Sequence, residues 1–190
     1  MILDMNYRKF EKQLQKKLDE ERYTHTLGVA YTAACLAMRH GYSVEKAYLA
    51  GLLHDCAKCI DNKKKLELCE KHHIEITNIE KENPFLLHAK LGSFLAKTKY
   101  DVKDEEILSA IRWHTTGHPD MTLLEKIVFI ADYIEPNRKK QPALDAVREL
   151  CFADLNAGLK KILSDTLVYL QSKKESIDEM TQKTYDYYNQ

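Results

Sequence analysis

In the stretch GLLHDCAKCI, residues 51–60, an apolar run ends in His54, Asp55 and Lys58. Burying such groups is costly unless they are paired or bound to metal, so partners must come from elsewhere in the chain. Candidates stand at His25 in RYTHTLGVA, His88 in LLHAKLGS, His114 in IRWHTTGH and Asp132 in FIADYIEPNR. Each interrupts or closes an apolar face where a solvated residue is not expected. His54 and Asp55, neighbours about 100° apart around a helix, can share an ion only near a helix end or with help from other helices. Imidazole nitrogen and carboxylate oxygen without thiolate suit iron, manganese, cobalt, nickel or zinc rather than a structural thiolate zinc site. Four histidines and two aspartates exceed the needs of one ion; with one carboxylate placed to bridge, they suffice for two metals about 3.5–4 Å apart.

Two cations so placed lower the pKa of a bridging water towards neutrality, supplying hydroxide, and, on a phosphate ester, would neutralise charge developing at phosphorus during in-line attack. Cationic side chains should complete a phosphate clamp: Arg22, three residues before His25, Lys58, three after Asp55, and Arg138, six after Asp132. Arginine suits bidentate phosphate contact and lysine acts as a point charge. Asp55 and Lys58 are thus the residues expected at the reacting centre. Thr115, Thr116 and Gly117 follow His114 in an expected turn, where hydroxyls and backbone N–H groups can meet phosphate. Any one histidine taken alone reads as a hydrogen-bonded core or surface residue; the ordered set reverses that reading. His40, His72, His73 and His118 fall at helix ends or in loops and read as solvated, with His118 closest to bordering the site. An ion pair is the competing reading for Lys58, and Arg138, Lys139 and Lys140 read as a loop or the edge of a phosphate funnel.

The elements that must position these residues are helices. Six glycines and four prolines are few, and between them apolar residues recur at three- and four-residue spacing. The spacing predicts helices over about 6–19, with Tyr7, Phe10, Leu14 and Leu18 on one face, and over about 21–39, ending at Gly41. A third, capped by Ser43, should run through Leu53 to about residue 57. Further helices are expected at 63–72, 84–97, 103–114 and 122–134. Pro136 and Pro142 mark a loop. Beyond it, two or three helices over 143–190 place Leu150, Leu155, Leu159, Ile162, Leu163 and Leu170 in a core. They end in Tyr185, Tyr187 and Tyr188, a candidate homodimer face. Trp113, Phe129, Tyr133 and Ile134 read as core, and 61–71 as a solvated helix face. The expected architecture is one all-α domain over 1–190, a helical bundle with its metal-site core at about 22–138.

Composition narrows the function classes. Lys plus Arg and Asp plus Glu balance at 29 each and are interspersed, so neither a nucleic-acid surface nor a disordered acidic tail is implied. No apolar run reaches the roughly 18 residues that span a bilayer, and MILDMNYRKF lacks a signal-peptide pattern, so no membrane partner and a cytoplasmic location are expected. Five cysteines, an odd number in a chain of 190 residues, read as reduced thiols. Cys56 and Cys59 form a CxxC without a second pair or a βαβ pattern, and read as helix-packing residues. Neither GxGxxG nor GxxxxGK occurs, which removes the usual phosphate-cradling loops.

The order H, HD, H, H, D resembles the HD superfamily of metal-dependent phosphohydrolases. The stretches YTHTLGVA, AGLLHDCAK, HAKLGS, AIRWHTTG and KIVFIADYIEPNR are similar to its bacterial YqeK branch, over about 22–138. That resemblance implies symmetrical bis(5'-nucleosyl)-tetraphosphatase activity, splitting diadenosine tetraphosphate into two ADP at a dinuclear centre, iron before manganese, cobalt, nickel or zinc. It implies further that His25, His54, Asp55 and Asp132 hold one metal, and Asp55, His88 and His114 the other. Two alternatives stay open beside it. HD sites also support hydrolysis of deoxynucleotides, cyclic nucleotides or pyridine dinucleotides, and a nucleotide-binding module can retain metal without turnover.

Overall fold

The computed structural model describes residues 5–138, 143–173 and 177–190, with side chains from residue 7 onward; Lys139, Lys140 and Pro142 lie outside the described residues. Helix α1 (Met5–Gln15) stops short of 19 because Asp19 serves the next helix. Its carboxylate accepts the Arg22 N–H at 2.7 Å and caps α2 (Glu20–His40), satisfying a donor that the helix start leaves free. Helix α2 ends at Gly41 in the left-handed conformation (φ 71°). Ser43 caps α3 (Val44–Leu53), which ends before the expected 57. The reason is local. The imidazole of His54 takes the Gly51 carbonyl at 2.6 Å, an acceptor that a continuing helix gives to the residue four further on. Bonds from Cys56 N to Leu53 O and from Lys58 N to Asp55 O then wind the following residues into tight turns.

Helix α4 (Asn62–Lys71) departs from a fully solvated face: Lys65 and Cys69, four apart, are buried, and Lys65 Nζ donates to Asn62 Oδ1 at 3.1 Å. Helix α5 (Asn78–Glu82) was not expected, although its capping box, Thr77 with Glu80, is visible in the sequence. The helix predicted from 84 splits into a 3-10 turn (Pro84–Leu87) and α6 (His88–Lys99). Then follow α7 (Glu105–Trp113), α8 (Leu123–Ile134), α9 (Leu144–Ala153), α10 (Leu155–Lys173) and α11 (Glu179–Tyr188). No strand occurs among the described residues, so the chain is all-α. No helix is long and apolar enough to cross a membrane.

Helix α2 packs against α3 and α8, and α7 joins α6 to α8. The first of these contacts is unusually close. Helix α2 presents Ala30, Ala33, Ala34 and Ala37, all buried, and a Cβ at Gly51 would lie 2.9 Å from Ala30 Cα. Backbone thus meets backbone, which brings the rings of His25 and His54 to 5.3 Å. Gly51→Val is expected to destabilise the protein by about 1–3 kcal/mol through overpacking. The helix-propensity gain of a few tenths of a kcal/mol cannot offset this. A denaturant midpoint equal to that of the parent would refute the close packing.

Leu155, Leu159, Ile162 and Leu163 sit in the buried core as expected, whereas Leu150 and Leu170 do not. Helix α9 turns Leu144, Val147 and Cys151 inward instead. Phe129 and Ile134 are buried and Tyr133 packs on the core, but Trp113 is only half-buried, its ring 5.1 Å from that of His118. His40 is also not simply solvated: its Nε2 lies 2.9 Å from Cys151 O. His72 and His73 are exposed. Of the terminal tyrosines, Tyr188 accepts the Met121 N–H at 2.6 Å and Tyr185 packs on the core, while Tyr187 is exposed. All five cysteines are free thiols, and burial pushes Cys56 up to about 12, so it is unreactive near neutral pH.

Candidate metal centre

The six expected ligands come from five segments of the chain and meet near helix ends. His25 lies in the second turn of α2, His54 and Asp55 in the turn after α3, His88 at the start of α6, His114 just beyond α7 and Asp132 near the end of α8. Three of the histidines use one device. The Nδ1 atoms of His54, His88 and His114 bond the carbonyls of Gly51, Phe85 and Ile111 at 2.6, 2.6 and 2.7 Å. A carbonyl can only accept, so Nδ1 carries the proton and Nε2 keeps its lone pair. His25 reaches the same state through a carboxylate, its Nδ1 lying 3.1 Å from Glu135 Oε1.

All four Nε2 atoms then converge on Asp55 and Asp132. His25 Nε2 lies 3.0 Å from Asp132 Oδ1, and His54 Nε2 3.4 Å from Asp55 Oδ2. On the other side, His88 and His114 Nε2 lie 3.2 and 3.6 Å from Asp55 Oδ1, and 3.2 Å from each other. Two lone pairs that close repel unless a cation stands between them. Asp55 is 2 % exposed and His54 fully buried, and His25 Nε2, His54 Nε2 and Asp55 Oδ1 have no hydrogen-bond partner. Buried polar atoms without protein partners are rare and point to an ion or water that they are placed to hold. The donor set fits metal: His25, His54 and Asp55 form one group close enough to hold an ion, Asp55, His88 and His114 another, and Asp132 groups with His54 and His114 between them, with Asp55 offering one oxygen to each side.

Electrostatics agree with this fit. Burial works to raise the pKa of Asp55, but the neighbouring histidines, His54, His114 and His88, outweigh it and hold the carboxyl well below its usual range. Asp132, also raised by burial, is held low by His25 and the Arg138 charge. Burial pushes His88 down to about 4, so it is neutral at pH 7, as a metal ligand must be. The metal-free protein should therefore be sensitive to acid. The unfolded chain protonates its histidine near 6.5 while folded His88 resists until about 4, so the unfolded state binds more protons in that window and stability falls with falling pH. The loss is on the order of 3 kcal/mol between pH 7 and 4. Urea midpoints of chelated protein measured across that range check it, and a midpoint that rises on acidification would contradict it.

The cationic groups already lean on the ligands. Arg22 Nη1 donates to Asp55 Oδ2 at 2.8 Å. Lys58 Nζ lies 3.2 Å from His88 Nε2 and 3.9 Å from Asp55 Oδ1. Arg138 bonds Asp132 through its side-chain oxygen at 2.9 Å and its main-chain oxygen at 2.8 Å. In the turn after His114, Thr115 Oγ1 lies 3.4 Å from His88 Nε2, whereas Thr116 donates to Gly117 O and the Gly117 N–H donates to Trp113 O. Thr115 is thus the group of that turn nearest the centre. Gly117 has φ 62°, and a Cβ there would meet Thr184 of α11 at 2.8 Å, so both conformation and space require glycine. His118 stands outside the cluster, its Nε2 3.1 Å from buried Glu125.

Sequence reasoning missed Glu135. It is 1 % exposed, holds His25 and accepts from Asn137 N at 2.7 Å. Arg148 of α9 fixes its backbone by donating to Ile134 O and Glu135 O, both at 2.9 Å. The available signal was an acid three residues after Asp132, just past the end of the helix that carries it.

A helical fold with an H, HD, H, H, D cluster at its centre defines the class. The chain belongs to the HD family: residues 22–137 match the HD domain. It is 40 % identical, over 92 % of both chains, to the symmetrical bis(5'-nucleosyl)-tetraphosphatase of Bacillus subtilis. It is 34 % identical to the Staphylococcus aureus protein of the same name, over 97 % of this chain and 95 % of that one. The crystal structure of a predicted HD superfamily hydrolase involved in NAD metabolism, from Clostridium acetobutylicum, matches with a TM-score of 0.92 at 39 % identity, covering 96 % of each chain.

Proposed function

We propose that the protein is a metal-dependent phosphohydrolase that splits diadenosine tetraphosphate symmetrically into two ADP. The observation that carries this is the buried set of inward-facing ligand atoms without partners, ringed by Arg22, Lys58 and Arg138. The extended similarity to proteins named for this reaction supports the choice of substrate. His25, His54, Asp55 and Asp132 would hold one ion and Asp55, His88 and His114 the other, with iron as the first candidate metal. Two such ions supply an acidified water and neutralise charge at phosphorus. Arg22 and Arg138, which lie against Asp55 and Asp132, would grip phosphate oxygens in pairs once ions shared those carboxylates. Lys58, displaced from His88, adds a point charge at the reacting centre. The Thr115 hydroxyl offers a further donor, with Thr116 and Gly117 shaping its turn. Free thiols and a neutral, interspersed surface charge suit a cytoplasmic enzyme.

The test is incubation with diadenosine tetraphosphate, with and without iron or manganese, and chromatography of the products. ADP as the sole metal-dependent product is expected. ATP with AMP would mean a different cut, and no turnover by metal-loaded protein would overturn the assignment.

A further inference from the structure

Residues of α1, α3 and α7, with the loop between α6 and α7, enclose a cavity of about 470 Å³ that none of the candidate metal ligands lines. That volume falls in the range of small-molecule sites, which combine apolar walls with a few polar groups. One wall is apolar: Tyr7, Phe10 and Leu49 are half-buried, and Phe10 meets the buried ring of Tyr100 edge-on at 5.3 Å. The rim is cationic. Lys9, Lys99 and Lys103 are exposed, and neither Lys9 nor Lys99 has an ion-pair or hydrogen-bond partner among the described residues. The two acids of the lining do not cancel these charges. Asp104 is taken by Lys46 at 2.8 Å and accepts the Glu106 N–H at 3.0 Å, while Asp101 lies 3.6 Å from Lys103.

An aromatic wall beside unclaimed ammonium groups suits a ligand with a flat ring and a multiply charged tail. An uncharged apolar molecule would leave the lysines idle, and inorganic phosphate would leave the rings uncovered. We propose that this cavity is a second nucleotide site, separate from the metal centre, in which the base lies against Tyr7 and Phe10 and Lys9 and Lys99 hold the phosphates. It stands whether or not the metal centre hydrolyses nucleotides. Leu49 and Ile107 of its lining lie five residues before His54 and seven before His114, about one and a half and two helical turns. A nucleotide seated there braces α1 against both helices that deliver those ligands.

The experiment is calorimetric titration of chelated protein with ADP, adenosine and pyrophosphate, for the parent, Lys58→Ala and the double variant Lys9→Glu/Lys99→Glu. Chelation takes metal out of the competition for phosphate, and both lysines of the double variant are exposed, so the fold survives their exchange. Parent and Lys58→Ala should bind ADP alike. Stacking of a base on an aromatic ring, or a hydrogen bond to a charged group, is each worth about a tenfold or larger change in affinity. Adenosine and pyrophosphate, which each keep one half of the recognition, should therefore bind about tenfold or more weakly, and the double variant should weaken ADP by a similar factor. Absence of ADP binding to the chelated parent would overturn the proposal, as would pyrophosphate that binds as tightly as ADP. So would binding that falls in Lys58→Ala and survives in the double variant, since that places the nucleotide at the metal centre.

Discussion

Asp55→Asn is expected to lower kcat/KM for diadenosine tetraphosphate about 10³-fold or more and to strip metal from the protein. The magnitude follows from the position of the carboxylate. Changing a group that merely orients a ligand costs about 10–100-fold in metal affinity or activity. Asp55 faces His54 with one oxygen and His88 and His114 with the other, so its loss acts on both halves of the cluster at once. Asparagine keeps the shape but removes the charge that two adjacent cations would need and that now pairs with Arg22. Metal per chain, read by mass spectrometry, should fall with activity. His72→Ala is the comparison: that ring is exposed and touches Phe94, so metal content and turnover should remain near parental values. Equal losses in the two variants would sink the ligand assignment.

Glu135→Ala is the second large effect. Glu135, 1 % exposed, holds the Nδ1 proton of His25, so alanine leaves that proton without its acceptor and the ring without an orientation. Metal affinity should fall about 10–100-fold, with activity following it and recovering at high metal concentration. Glutamine retains an acceptor oxygen and should lie between parent and alanine. Gly28→Ala approaches the same contact from below, because its new Cβ would overlap Glu135 Oε2 and push the carboxylate off His25. An alanine variant with parental metal affinity would show that His25 needs no such support.

The residues that meet at the centre are legible in the sequence because an imidazole or carboxylate on an apolar helical face is costly to bury without a partner or an ion. Glu135 is not, because an acid at a helix end before a proline looks like a solvated residue; only the return of α2 over it, at Gly28, buries it. Helix identity is legible from spacing, while helix ends are set by single side chains such as Asp19 and His54, whose choice between two backbone partners is a tertiary matter. Leu170 and Phe85 carry the apolar signal of core residues yet line a cavity, since periodicity states which face is apolar and not what covers it. Trp113 errs in the same way, sharing its face with His118 rather than the core.

Helix α11 lies beyond every candidate ligand in the chain, yet Thr184 seats against Gly117 and Tyr188 holds Met121, on either side of the loop that follows His114. On a ribosome, where chains emerge from the N-terminal end, the ligand residues are all synthesised before their last brace exists. A nascent chain halted before α11 would carry a complete set of donors on an unsecured loop. Metal affinity on the His88 and His114 side would thereby depend on the docking of α11 as well as on the candidate ligands themselves.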